Sequence, residues 1–289
     1  MAQGVRGFPE QADIVIICMI PVVELRALRE ELSRISAEKV GYVHTDQKEE
    51  RYTVSHKNKR KTNIVVTCIG AASNLDSAII TLSMLYRYSP RYIFLYGIAG
   101  GMQVKKYDRG GVVIGSDIVF RKISKVVDEE RYQFEMPPVE TTARGQIMAR
   151  EFMANIIRGK PQIRPGRGKS PFKVCHEKIF CWDLVLDSEK VRDQLVETVD
   201  RQLSVVEMEA AGFFKAIHHY RKYFIEKPFM ITKNGSVDGL VIRGISDYAA
   251  KKLDSDAEKM PWRDIAADNA AYILMQIIGS ITEEDYSSE

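Results

Sequence analysis

Residues 13–35 read DIVIICMIPVVELRALREELSRI. The first eight form a short, nearly continuous apolar run, the pattern of a strand buried on both faces of a parallel sheet. Beyond Pro21, the residues Leu25, Leu28, Leu32 and Ile35 recur at helical spacing. A strand passing directly into a helix sets the reading of the rest. Residues 63–69, 91–96 (RYIFLY, ending at Gly97), 110–119, 174–180, 203–206 and 240–245 carry the strand pattern, and residues 74–86, 142–157, 207–220 and 261–281 the helical one. Short strands alternating with helices predict a three-layer α/β fold.

Two segments interrupt the alternation. Residues 44–61 are polar and strongly charged, and residues 227–239 hold Lys-Asn-Gly-Ser between apolar flanks, a hairpin signal. Both are expected as solvent-exposed insertions, with an interface role as the alternative. One domain over residues 13–282 accounts for the pattern, with residues 1–12 as an extension and the acidic residues 283–289 as a frayed tail.

The chain has 289 residues, 45% of them hydrophobic and 28% charged, which is ample for a buried core. Its 42 basic and 39 acidic side chains leave a net charge of +3, so no global field calls for a nucleic-acid partner. The sequence lacks a run of about 18 apolar residues and an apolar signal-peptide centre in residues 1–12. It therefore predicts a soluble cytoplasmic protein with no membrane partner. Residues 158–173 (RGKPQIRPGRGKSPFK) are rich in Lys and Arg without an acid, which suits either a solvated loop or an anion site. Cys175, His176 and Cys181 lack the further ligands of a metal cluster, and the four cysteines read as reduced thiols.

Acids stand where strands end, and open α/β sheets collect ligands beyond the carboxyl ends of their strands. Glu24 follows the opening strand. Glu207 and Glu209 flank Met208 in VVEMEAAG, residues 205–212, and Ser246-Asp247 closes VIRGISD, residues 241–247. A carboxylate aimed into a cleft accepts both hydrogens of a ribose diol. Each acid also has an ordinary alternative, at a helix N-terminus for Glu24, Glu207 and Glu209, and as a cap or Asx-turn for Asp247. The turn Gly97-Ile98-Ala99-Gly100-Gly101 allows a ligand close to the backbone, but it is neither a dinucleotide fingerprint nor a phosphate loop.

Together, and in this order, these segments and Cys181-Trp182-Asp183-Leu184-Val185-Leu186-Asp187 resemble the purine nucleoside phosphorylase and methylthioadenosine/S-adenosylhomocysteine nucleosidase superfamily. The resemblance spans almost the whole chain, and VEMEAA and IRGISD are its specific motifs. It implies a central mixed sheet flanked by helices. Asp247 matches the acid that protonates purine N7, with Ser246 beside it. Glu209 and Met208, next to Glu207, match the ribose contacts, and Glu24 the acid that positions water. Ala99 and Gly100 would line the ribose side, and Val185 and Leu186 would flank the base. The family chemistry needs no metal or organic cofactor, and relatives are commonly homo-oligomers.

Departures from the family pattern refine these expectations. Leu95 stands where the phosphorylases carry an arginine, and Ile98 where Thr or Ser is usual, so phosphate would be poorly held and hydrolysis is expected. The segment Gly70-Ala71-Ala72-Ser73-Asn74 has lost part of the family's glycines. Val185 replaces an aromatic that stacks on the base, a role open to Trp182. An Asp rather than Asn at the N7 position points to adenine as the leaving base. If Arg164, Arg167 and Lys169 fold over the 5′ end, AMP or ATP joins methylthioadenosine and adenosine as a candidate substrate, as in nucleotide-depleting defence effectors. The expectation is a purine N-ribosyl hydrolase; a phosphorylase and a noncatalytic nucleotide-sensing module are the alternatives.

Overall fold

The structure is a computed structural model that describes residues 12–35, 38–44, 48–55, 61–128, 131–156, 162–164, 171–226, 237–250 and 256–284. The first strand, β1 (Ile14–Cys18), is buried along its whole length. The alternation of its side chains divides them between two apolar clusters. Ile14, Ile16 and Cys18 pack with residues of helices α1 (Arg26–Arg34), α3 (Ala143–Ile156) and α6 (Asp256–Glu284). Val15 and Ile17 pack with α2 (Asn74–Tyr88) and α5 (Ala210–Glu226). Helices thus cover the sheet on both faces, as a doubly apolar strand requires.

On one edge β1 pairs in parallel with β4 (Lys61–Cys68), and β4 continues antiparallel through β3 (Lys48–Ser55) to β2 (Glu38–His44). The charged stretch expected as an exposed insertion therefore supplies sheet strands, which corrects that reading. Glu49 and Glu50 are buried in β3. Glu49 accepts from Arg87 Nη1 at 2.9 Å and from the Tyr88 hydroxyl, and Glu50 accepts from Arg29 and from Tyr52 Oη at 2.5 Å. Acids satisfied mainly by residues of the helices packed on a strand look like surface in sequence, because Arg29, Arg87 and Tyr88 lie elsewhere in the chain.

On its other edge β1 pairs in parallel with β5 (Tyr92–Gly101), which also runs parallel to β10 (Asp238–Asp247). Strand β10 is antiparallel to β6 (Val112–Asp128), β6 is parallel to β8 (Val174–Trp182), and β8 is parallel to β9 (Leu203–Glu207). The sheet closes on itself where β9 returns to β5 through Val206 and Gly100. A mixed ring of five strands results, with β1, β4, β3 and β2 extending from β5.

Several boundaries differ from the sequence reading. β5 runs through Gly101, so the glycine-rich segment is strand rather than turn. Helix α5 starts at Ala210 because Glu207 still belongs to β9. Helix α6 begins ahead of Pro261 and carries that proline inside it, where it has no N–H to donate to the preceding turn. Three elements carry no clear signal: β2 (Glu38–His44), β7 (Arg131–Glu135), which pairs with the outer half of β6, and the short α4 (Glu189–Thr198). The hairpin expected over residues 227–239 falls mostly outside the described residues.

Candidate active site

Strands β1, β5, β9 and β10 bring their carboxyl-side residues around one open cavity of about 350 Å³. Glu24, Glu209 and Asp247 all line it, with Glu207, Met208 and Ser246 beside them. Ala99 and Gly100 line it from β5, and Val185 and Leu186 from the loop after β8. Residues separated by more than two hundred positions thus share one wall, because parallel strands present their ends together.

Glu24 sits on a π-helical turn, Pro21–Leu25, that joins β1 to α1; such wide turns recur at functional sites. Its carboxylate serves both the start of that turn, whose N-cap is Ile20, and the sheet beside it. Oε2 accepts from the backbone N–H of Met19 (2.7 Å) and Ile20 (2.9 Å), and Oε1 from that of Ile98 (2.9 Å). The side chain therefore ties the end of β1 to β5. Burial raises its pKa, with Arg243 and the three amides acting in the opposite sense.

Arg243, inside the VIRGISD motif, organises the two acids of VVEMEAAG. It is fully buried in β10, and its Nη2 donates to Glu207 Oε2 at 2.6 Å and Glu209 Oε2 at 2.7 Å. Burial opposes its charge, but Glu209, Glu207 and Glu24 together raise its pKa. The available signal was an arginine within an otherwise apolar strand, which a buried site tolerates only beside acids. Glu207 also accepts from the N–H groups of Glu209 (3.1 Å) and Ala210 (3.0 Å), so it caps α5 while holding Arg243. Burial, opposed by Arg243 and reinforced by Glu207, lifts Glu209 to about 8. Arg243 occupies its Oε2, and Oε1 is without a hydrogen-bond partner among the described residues.

Asp247 is held at both oxygens. Ser246 Oγ donates to Oδ2 and Ala249 N–H to Oδ1, each at 2.8 Å. Ala249 is buried with φ of 53°, a left-handed conformation for a non-glycine residue. Such a conformation costs on the order of 1–2 kcal/mol, and it aims this N–H back at Asp247. An Asx-type turn and a site acid are therefore the same feature here.

Other expected residues lie elsewhere. Arg164 is not at the cavity: its Nε donates to Glu31 Oε1 at 2.9 Å and its Nη1 pairs with Asp268 Oδ2 at 2.6 Å, so it locks α1 to α6. Arg167 and Lys169 lie outside the described residues. Trp182 does not replace the missing stacking aromatic, because it packs edge-on against Phe180 and Phe134. Of the segment after β4, Ala72 lines the cavity, while Ser73 caps α2 and Asn74 accepts from the Gly212 N–H at 2.8 Å. Leu95 is fully buried in the core. His176 Nε2 pairs with Gln146 Oε1 and Cys181 Sγ with Asn74 Oδ1, so these two side chains serve different neighbours. Arg263, from α6, lines the cavity without any prior signal.

The family model of the phosphorylase superfamily matches residues 13–279. No curated protein sequence matches the chain. Among solved structures, the chain is similar to the 5′-methylthioadenosine/S-adenosylhomocysteine nucleosidase of Neisseria meningitidis in complex with methylthio-immucillin-A, at 18% identity and a TM-score of 0.62, covering 93% of this chain and 99% of that one. The corresponding Colwellia psychrerythraea enzyme, in complex with adenine, gives 16% identity, a TM-score of 0.63 and coverage of 94% and 97%. Futalosine hydrolase of Helicobacter pylori gives 16%, 0.62, 93% and 98%. With the family model matched from the first strand into the last helix, the chain belongs to the phosphorylase superfamily.

Proposed function

We propose that this protein is an N-ribosyl hydrolase that cleaves the glycosidic bond of a purine nucleoside or nucleotide, with adenine as leaving base and water as nucleophile. The observation that carries the reading is the meeting of Asp247, Glu209 and Glu24 in one cavity. A purine anion is a poor leaving group, and cleavage builds positive charge on the sugar. Asp247, held at both oxygens, delivers a proton to N7 and lets the base depart neutral; acid catalysis of this kind contributes ~10²–10⁴-fold. Glu209 offers Oε1 to the ribose diol while Arg243 fixes Oε2, so binding away from the reacting carbon orients it for attack. Glu24 draws a proton from the attacking water.

Water is favoured over phosphate because Leu95 is buried where the phosphorylases carry an arginine, and Arg243 is already committed to two carboxylates. Adenine is favoured by an Asp rather than an Asn in the N7 position. The similar nucleosidase solved with adenine agrees with this choice.

The test incubates the protein with adenosine, methylthioadenosine, AMP and ATP, with and without inorganic phosphate, and separates the products. Free adenine with ribose or a ribose phosphate, formed without added phosphate, is the expected result. A strict phosphate requirement with ribose 1-phosphate as product overturns it. The Asp247→Asn variant is expected to lose most turnover while keeping its fold.

A further inference from the structure

The four carboxylates around the cavity are already engaged. Glu24 takes three backbone amides, Glu207 and Glu209 share Arg243, and Asp247 takes Ser246 and the Ala249 amide. Arg263 lines the same cavity and is half-buried, yet it has no hydrogen bond or ion pair among the described residues. Elsewhere on these elements the arginines are committed: Arg26 binds Asp264 and Asp268, and Arg164 binds Glu31 and Asp268. A guanidinium that faces a cavity holding four acids and pairs with none is placed for a ligand anion.

The fold fixes where that guanidinium stands. A Cβ at Gly244 would collide with the Ala266 backbone, so the glycine lets α6 lie directly on β10. Tyr96 Oη donates to Ala267 O at 2.8 Å and approaches Glu24 O at 3.4 Å, which fastens α6 to the turn bearing Glu24. Arg263 lies one helical turn before Ala267. It lines the cavity together with Glu24, Met19 and Ile20. Asp247, with Val185 and Leu186, marks the base end of the cavity, and Glu209 with Met208 the diol. The 5′ carbon is the part of a ribonucleoside left for the Arg263 side.

We propose that Arg263 binds the 5′-phosphoryl group of an adenine nucleotide, so that 5′-phosphorylated nucleotides rather than uncharged nucleosides are the preferred substrates. This rests on the nucleosidase reading, which assigns the base and diol ends of the cavity. Arg suits the task because its planar fork meets two phosphate oxygens at once and stays charged. The α-phosphate is common to AMP, ADP and ATP, and comparing the three shows how many phosphoryl groups the cavity accepts.

The experiment measures kcat/KM for AMP, ADP, ATP and adenosine in the wild type and in Arg263→Ala and Arg263→Lys. In parallel, calorimetry measures AMP and adenosine binding to Asp247→Asn with and without Arg263→Ala. Loss of one charge-assisted pair is expected to lower the preference for AMP over adenosine about 10–100-fold, with Arg263→Lys in between. AMP affinity in the Asp247→Asn background is expected to fall by a similar factor. An unaltered preference and unaltered AMP affinity overturn the proposal. So does a requirement for inorganic phosphate that Arg263→Ala abolishes, since the cation would then serve the nucleophile. AMP bound through Arg263 but left uncleaved by the wild type upholds the subsite and overturns the hydrolase reading instead.

Discussion

Arg243 occupies the space above Gly97: a Cβ on that glycine would stand 2.5 Å from Arg243 Nη1, and equally close to Glu24 Oε1. The glycine in β5 is thus the clearance under which a buried arginine and a buried acid approach each other. Neither can swing aside freely, since Arg243 is pinned by two carboxylates and Glu24 by three amides. Gly97→Ala is expected to retain the fold but lose about 1–3 kcal/mol of stability through overpacking. Its turnover should fall at least tenfold, because both displaced groups serve the proposed reaction. Thermal melts and steady-state kinetics check this, and wild-type kinetics in the variant would show that the crowding is relieved at no functional cost.

Glu24 must be ionised to take a proton from water, and burial raises its pKa above the ordinary 4.5. The acid limb of kcat is therefore expected above pH 4.5, with activity lost as pH falls through the folded-state value. Glu24→Gln should remove this limb and lower kcat by ~10²–10⁴-fold. A pH–rate profile from pH 4 to 9 on both proteins tests the assignment; a limb that persists in the variant belongs to another group.

Glu209 couples the site to stability. Its folded-state pKa of about 8 exceeds the ordinary 4.5, so between these values the unfolded chain releases a proton that the folded chain keeps. Folding stability from this group is greatest below pH 4.5 and declines as pH rises to about 8. Glu209→Gln is expected to flatten the fall of Tm over that window. Melting curves at half-unit pH intervals measure it, and an unchanged slope would mean that Glu209 ionises in the folded protein much as it does in the unfolded one.

Arg164 is predicted to matter for stability alone. Its removal leaves Glu31, about 1% exposed, paired with Arg34 alone at 2.6 Å, and Asp268 paired with Arg26. Loss of a hydrogen bond to a charged group costs about 1.5–3 kcal/mol. Arg164→Ala should lower the unfolding free energy read from urea melts by that amount without changing the preference between AMP and adenosine. A change in that preference would return the residue to the 5′ site.

How far the site could be read in advance depended on what each residue pairs with. Asp247, Glu209 and Glu24 stand at strand ends in segments that resemble the superfamily's, which is how the sequence nominates them for the cavity they line. Arg243 is not nominated in this way, since its role is set by Glu207 and Glu209 more than thirty positions away. Arg164 misled for the converse reason: a basic, Pro- and Gly-rich neighbourhood suggests an anion, whereas its partners Glu31 and Asp268 come from two other helices. Residues 44–61 misled similarly, since the acids of β3 are neutralised by Arg29 of α1 and Arg87 of α2.

By itself the sequence determined the alternation of strand and helix, the strand ends that carry acids and the superfamily, because apolar periodicity and short motifs are local properties. Tertiary structure alone decided that the sheet closes through Val206 and Gly100, that Arg243 lies under two carboxylates and that Arg263 rather than Arg164 faces the cavity. Closure, charge pairing and the aim of a side chain depend on distances between residues far apart in the chain, and those distances exist only once the sheet and its helices have packed.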